Sequence, residues 1–131
     1  MNTYATWFKR IVLLGVVVNL VLAIPTLVVP ETMLTLFNLP LVEPVIWVQF
    51  SANLLILLSL FYIPAALDPF RYQASAWLAI FSRVAGVIFF LTQAKIYLLF
   101  GLLDLSFAIP EGLLLMLAYR AAATELKETG V

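Results

Sequence analysis

Three ionisable side chains lie within stretches that are otherwise almost free of charge. Arg83 interrupts an uncharged run over residues 74–92. Asp104 and Glu111 interrupt the apolar run that follows, over residues 96–119. Charges in such surroundings are costly in lipid, so they usually face a partner, a cavity or a transport pathway. Together they could form a structural ion pair, bind an anionic ligand or carry a proton.

The positions of Arg83 and Glu111 predict that these two side chains meet. Counted from Gln73 and from Arg120, taken as the near-membrane ends of two helices, they lie about 15 Å and about 14 Å along the helix axes. Both depths are close to the midplane of a hydrocarbon core about 30 Å thick. A hairpin that turns near residues 95–97 would bring them to one level, so we expect direct or water-bridged contact in the interior.

Two interpretations of this polar group stay open at the level of the sequence. Asp104 and Glu111 are seven residues apart and therefore share a helix face. In one interpretation they line a polar cleft with Arg83 at its floor, which binds an anionic or amphiphilic ligand or passes a proton through Glu111. In the other, a buried ion pair fixes the register of the hairpin, and breaking it costs more than making it gains. Pro110 is expected to kink the helix beside Glu111.

Four amide side chains complete the candidate site. Asn19 is expected near the midplane, whereas Gln49 and Asn53, which share a face, and Gln93 are expected nearer the outer side. Amides within spans often join helices by hydrogen bonds, so packing is the alternative to ligand contact for each. The candidate ligand-binding residues are Arg83, Glu111, Asp104, Asn53, Gln49, Asn19 and Gln93.

The elements that position these residues follow from composition. The chain has 131 residues, of which 65% are hydrophobic and 11% charged, whereas soluble domains are about 45–50% apolar and about 25% charged. We predict an all-α integral membrane protein, a single domain over residues 1–131 that forms a four-helix transmembrane bundle. The predicted spans are about 11–29, 45–66, 74–93 and 97–121. The first is too long for a signal-peptide core, so we expect it to be retained.

Several kinds of chemistry are excluded by residues that the sequence lacks. Cys and His are both absent, which removes disulfides, thiolate chemistry, histidine-ligated haem and the usual zinc and copper sites, unless a partner chain supplies ligands. A net charge of zero gives no reason to expect nucleic acid. No nucleophile with a histidine base and no phosphate-binding glycine loop is visible. We expect no cofactor, no metal and no catalytic residues.

The longest connection, residues 30–44, contains a pattern of its own. Apolar side chains recur at helical spacing between Met33 and Phe37, with Pro30 as a start signal and Asn38 as a stop signal. These signals predict a short helix between the first two spans. Its place beside the spans predicts that it lies in the membrane interface.

The basic residues predict the orientation. Lys95 is alone in the turn between the last two spans. The opposite side carries Lys9, Arg10, Arg71, Arg120 and Lys127. By the positive-inside rule both termini are expected in the cytoplasm.

The stretch Asp68-Pro-Phe-Arg-Tyr72, followed by Trp77 and by Arg83 with Gly86, resembles small four-helix bacterial inner-membrane proteins of the DoxX-like kind. The resemblance implies a multi-pass protein of the bacterial inner membrane that accompanies membrane redox or metabolite-handling systems. Because Cys and His are absent, this chain itself would hold no redox centre.

The functional expectation is a small non-catalytic accessory or scaffolding subunit that acts through helix–helix and lipid contacts. Its expected partners are the lipid bilayer and other membrane protein subunits, or further copies of the chain. The alternative is a small oligomeric transporter or channel with Arg83, Asp104 and Glu111 on its pathway. The third hypothesis is a membrane enzyme that acts on a lipid or quinone.

Overall fold

The computed structural model describes residues 2–130, which contain helices and turns but no β-strand. The helices are α1 (Thr3–Val28), α2 (Pro30–Leu36), α3 (Ile46–Leu67), α4 (Gln73–Leu91) and α5 (Leu98–Glu128), with a 3-10 turn at Lys95–Tyr97. All of them except α2 are long and apolar enough to cross a membrane. The prediction of an all-helical chain with four candidate spans is confirmed.

Two of the long helices extend beyond the predicted spans. α1 begins at Thr3 rather than near residue 11, and α5 continues to Glu128 rather than ending near residue 121. Hydropathy marks only the part of a helix that suits lipid, about 20 residues, whereas backbone hydrogen bonding continues as long as each end finds partners. At the start of α1 the Asn2 side chain provides one, because its Oδ1 accepts the backbone N–H of Ala5 at 2.9 Å.

The helix α2 has the start and the stop that its sequence predicts. Pro30 occupies its first turn, where a missing N–H costs nothing. Asn38 has a positive φ of 56°, and its N–H donates to the carbonyl of Thr35 while the N–H of Leu39 donates to that of Leu34. This pattern is a Schellman motif, in which a left-handed residue ends the helix.

Contacts within the chain define two compact units. The first consists of Met1–Leu13 with Tyr62–Val131, and the second of Leu14–Phe61. In the first unit, α4 and α5 pack against each other as a hairpin. In the second, the amide of Asn19 donates to Ser59 Oγ at 3.1 Å, and Gln49 donates to the carbonyl of Leu27 at 3.0 Å. These two bonds join α1 to α3.

Candidate functional site

The register of the α4–α5 hairpin is set by contacts along its length. At the turn end, the rings of Phe90 and Phe100 lie 5.6 Å apart. At the other end, Trp77 and Tyr119 have ring centroids 6.0 Å apart. The two helices are therefore antiparallel, and the residues between these two ring pairs face each other in opposite chain order.

Arg83 lies at the centre of this hairpin and is only 4% exposed. Its Nη1 donates to Asp104 Oδ1 at 2.9 Å, which makes an ion pair between α4 and α5 with Arg83 buried and Asp104 20% exposed. The guanidinium also lies 4.9 Å from the ring centre of Phe107 and 5.8 Å from that of Tyr62. Aromatic faces attract cations at these distances, so the charge is surrounded by favourable contacts on several sides.

A glycine makes the close approach of the two helices possible. A Cβ placed on Gly86 would collide with the Asp104 carboxylate, so a larger residue at this position would displace the acid from Arg83. Closer to the turn, a Cβ on Gly101 would come within 3.2 Å of Phe90 Cβ. Small residues at such crossings are typical of helices that pack closely within membranes.

The structure corrects the predicted partner of Arg83, because the ion pair forms with Asp104 rather than with Glu111. Counting from the helix ends gives nearly the right depth, since Phe107 lies opposite Arg83. Asp104 lies on the turn side of Phe107 along α5 and Glu111 on the other side, each within about one helical turn. Depth alone therefore cannot decide between the two carboxyl groups, and the guanidinium pairs with the one nearer the turn.

Glu111 is buried near the ion pair, with 2% of its surface exposed. Among residues 2–130 nothing donates a hydrogen bond to its carboxyl group, although it interacts electrostatically with both Arg83 and Asp104. Asp104, Phe107 and Glu111 recur at intervals of three and four residues, so they line one face of α5. The buried cluster therefore contains one basic and two acidic side chains.

The four amides differ from one another in their surroundings. Asn19 is buried and bonded to Ser59, and Gln49 is bonded to a backbone carbonyl, as the packing interpretation predicts. Asn53 is exposed on α3. Gln93 lies exposed beyond the end of α4, with its amide 3.5 Å from Thr92 Oγ1. Within the hairpin unit the structure brings together Arg83, Asp104 and Glu111, but not Gln93.

Two aromatic residues of the site were missed by sequence reasoning. Phe107 carried a signal, because it lies three residues after Asp104 and so shares its face. Tyr62 carried none, since it comes from α3, and an interfacial aromatic looks the same in sequence as a buried one. It is 6% exposed and contacts Arg83.

The described part of the chain, residues 2–130, contains no group of three acidic side chains that could hold a metal ion. In comparisons with known proteins, no family model, no curated protein and no solved structure matches the chain. The functional conclusion therefore rests on what the buried cluster and the helix surfaces can do.

Proposed function

We propose that this chain is a non-catalytic accessory or scaffolding subunit of a membrane, which acts through contacts of its helices with other membrane proteins and with lipid. The observation that carries the proposal is the Arg83–Asp104 ion pair. It pairs the Arg83 charge within a single hairpin, in contact with the rings of Phe107 and Tyr62. A cation enclosed in this way supports helix packing rather than ligand capture.

The outward surfaces of the spans support the same proposal. Large apolar side chains are exposed on every long helix, for example Val21, Phe61, Phe81 and Leu99. In a membrane such surfaces suit lipid or the apolar faces of other helices. Because Arg83 and Glu111 are buried while these apolar side chains are exposed, each long helix offers an apolar surface for contact.

The location follows from the resemblance and from the basic residues. The proposed site of action is the bacterial inner membrane, as in the DoxX-like proteins that the chain resembles, with both termini in the cytoplasm. In the same arrangement α2 lies in the interface, which its half-apolar pattern suits, because Pro30 and Leu34 are buried while Glu31 is exposed. Reporter fusions at each terminus test this topology, and a periplasmic terminus would contradict it.

Purification in a mild detergent, followed by mass spectrometry of proteins and lipids, tests the accessory role. We expect a larger membrane protein to co-purify with the chain in a fixed ratio. The control variant Glu125→Gln, which changes an exposed carboxylate, should bind this protein as the parent chain does. A chain that purifies without any other membrane protein would contradict the proposal.

The alternative is a small oligomeric transporter or channel, and one observation favours it. Glu111 is a second buried carboxyl group that the ion pair does not use, and ionisable residues within spans often lie on transport pathways. On this hypothesis, liposomes that contain the chain show ion or proton flux. Glu111→Gln then abolishes the flux without reducing the amount of folded protein, whereas Glu125→Gln leaves it unchanged.

A further inference from the structure

One face of α3 carries a regular row of exposed side chains, which we name the α3 seam. Its members are spaced by four and three residues in alternation, the heptad pattern of helices that pair along their length. They are Ile46, Phe50, Asn53, Leu57 and Leu60, all of them exposed. On the side of α3 away from the seam, Ser59 accepts a hydrogen bond from Asn19 of α1, whereas Gln49, one turn before Asn53, borders the seam and donates to the carbonyl of Leu27.

Asn53 makes this seam unsuited to lipid alone. It lies about 10 Å along α3 from Ile46, within the depth that hydrocarbon occupies, and its short side chain cannot reach the helix end. Its amide has two donors and a carbonyl acceptor. No group among residues 2–130 forms a hydrogen bond with it, and polar groups left without partners in hydrocarbon are costly.

We propose that a second copy of this chain covers the α3 seam, so that the protein forms a symmetric dimer with paired Asn53 side chains. Two copies inserted in the same orientation are related by an axis along the membrane normal, which brings identical residues to the same depth. An amide both donates and accepts, so two Asn53 side chains can satisfy each other. Any other partner would need a matching polar group at this depth, which a second copy has by construction.

The heptad spacing supplies the rest of the interface. Helices with a 3.5-residue repeat pack at a crossing angle of about 20°, which keeps Phe50, Leu57 and Leu60 in contact on both sides of the polar pair. One polar residue in an apolar seam also fixes register and the number of helices. This inference goes beyond the accessory role proposed above and does not depend on it, because a dimer can serve either function.

Disulfide cross-linking in native membranes tests the dimer, and the absence of cysteine from the sequence makes each introduced thiol the only one. The test variant is Leu57→Cys, on the seam, and its matched control is Leu58→Cys. Both are exposed leucines, at 46% and 38%, but adjacent residues point about 100° apart around a helix. A disulfide forms only where the two Cα atoms come within about 7 Å.

We expect oxidation to convert most of Leu57→Cys into a species of twice the chain mass, and Leu58→Cys to remain mainly monomeric. Adding Asn53→Leu to Leu57→Cys should weaken dimerisation about tenfold, whereas Asn53→Gln, which keeps the amide, should retain much of it. Absence of the cross-link, equal cross-linking of both variants, or a Leu57→Cys product that contains a different protein would each overturn the proposal. The last of these outcomes would leave the accessory role intact.

Discussion

The helix pair α1–α3 within Leu14–Phe61 and the hairpin α4–α5 are held together by different kinds of polar interaction. Both join two apolar helices, for which burial of apolar surface offers little specificity in lipid. The first pair uses neutral hydrogen bonds, from Asn19 to Ser59 and from Gln49 to a carbonyl. The hairpin instead uses an ion pair between the buried Arg83 and the partly buried Asp104. Loss of a neutral hydrogen bond costs little free energy, whereas loss of one partner of an ion pair leaves the other charge buried without compensation.

The difference predicts two levels of sensitivity to mutation. A hydrogen bond contributes about 0.5–1.5 kcal/mol net, and bonds between membrane helices average about 0.6 kcal/mol. Removing one partner of a buried ion pair costs about 3–5 kcal/mol, because the other charge remains without compensation. We therefore hypothesise that the ion pair serves to exclude other registers of α4 on α5, a task for which a large penalty is useful.

The largest effect is expected from Asp104→Asn, which removes the charge while keeping the shape. The free energy of unfolding in detergent should fall by about 3–5 kcal/mol, since Arg83 stays buried without its counter-ion. Glu125→Gln, which neutralises an exposed carboxylate of the same helix, should change it by less than about 0.5 kcal/mol. A loss below about 1 kcal/mol for Asp104→Asn would mean that Glu111 replaces it as the counter-ion.

A smaller loss is expected from Gly86→Ala, whose added Cβ collides with the Asp104 carboxylate. We expect the free energy of unfolding to fall by about 1–3 kcal/mol, the usual cost of overpacking. The matched control is Gly112→Ala, where the added Cβ would meet only Ile80 Cγ2 at 3.7 Å. That contact is an ordinary one, and alanine favours helix, so the control should be neutral or stabilised by up to about 1 kcal/mol. Equal losses in both variants would remove the steric explanation.

The smallest effect is expected from Ser59→Ala in the α1–α3 pair. It deletes the acceptor of the Asn19 amide, and the unfolding free energy should fall by about 0.5–1.5 kcal/mol. Ser51→Ala is the control, because the exposed Ser51 hydroxyl donates to the carbonyl of Trp47 within its own helix. If Ser59→Ala cost as much as Asp104→Asn, the contrast between neutral and charged helix pairs would disappear.

The fold could be predicted from the sequence because hydropathy and the start and stop signals of helices determine it. The four spans follow from apolar length, and α2 follows from Pro30 and Asn38, whose preferences act within one turn. The ends of α1 and α5 could not be predicted, because a helix continues beyond the lipid wherever its terminal backbone groups find hydrogen-bond partners. Asn2 provides such a partner for α1.

The candidate site could be predicted only in part. That Arg83, Asp104 and Glu111 gather in one interior follows from the cost of charge in lipid. Which carboxyl pairs with Arg83 depends on whether its guanidinium reaches toward the hairpin turn or away from it, and the Asp104 carboxylate occupies the space that Gly86 leaves open. Counting from the helix ends gives depth and cannot decide this direction. Tyr62 comes from another helix, and nothing in its sequence neighbourhood indicates that it contacts Arg83.

A double-mutant cycle on Arg83 and Asp104 tests most directly whether the buried charges hold the hairpin. The cycle uses Arg83→Met, Asp104→Leu and their combination, with Glu111→Gln present in all four proteins so that no second carboxylate can take over. We predict that each single change lowers the free energy of unfolding by about 3–5 kcal/mol, and that the double change returns it to within about 1 kcal/mol of the starting protein. Losses that simply add in the double variant would contradict a structural ion pair.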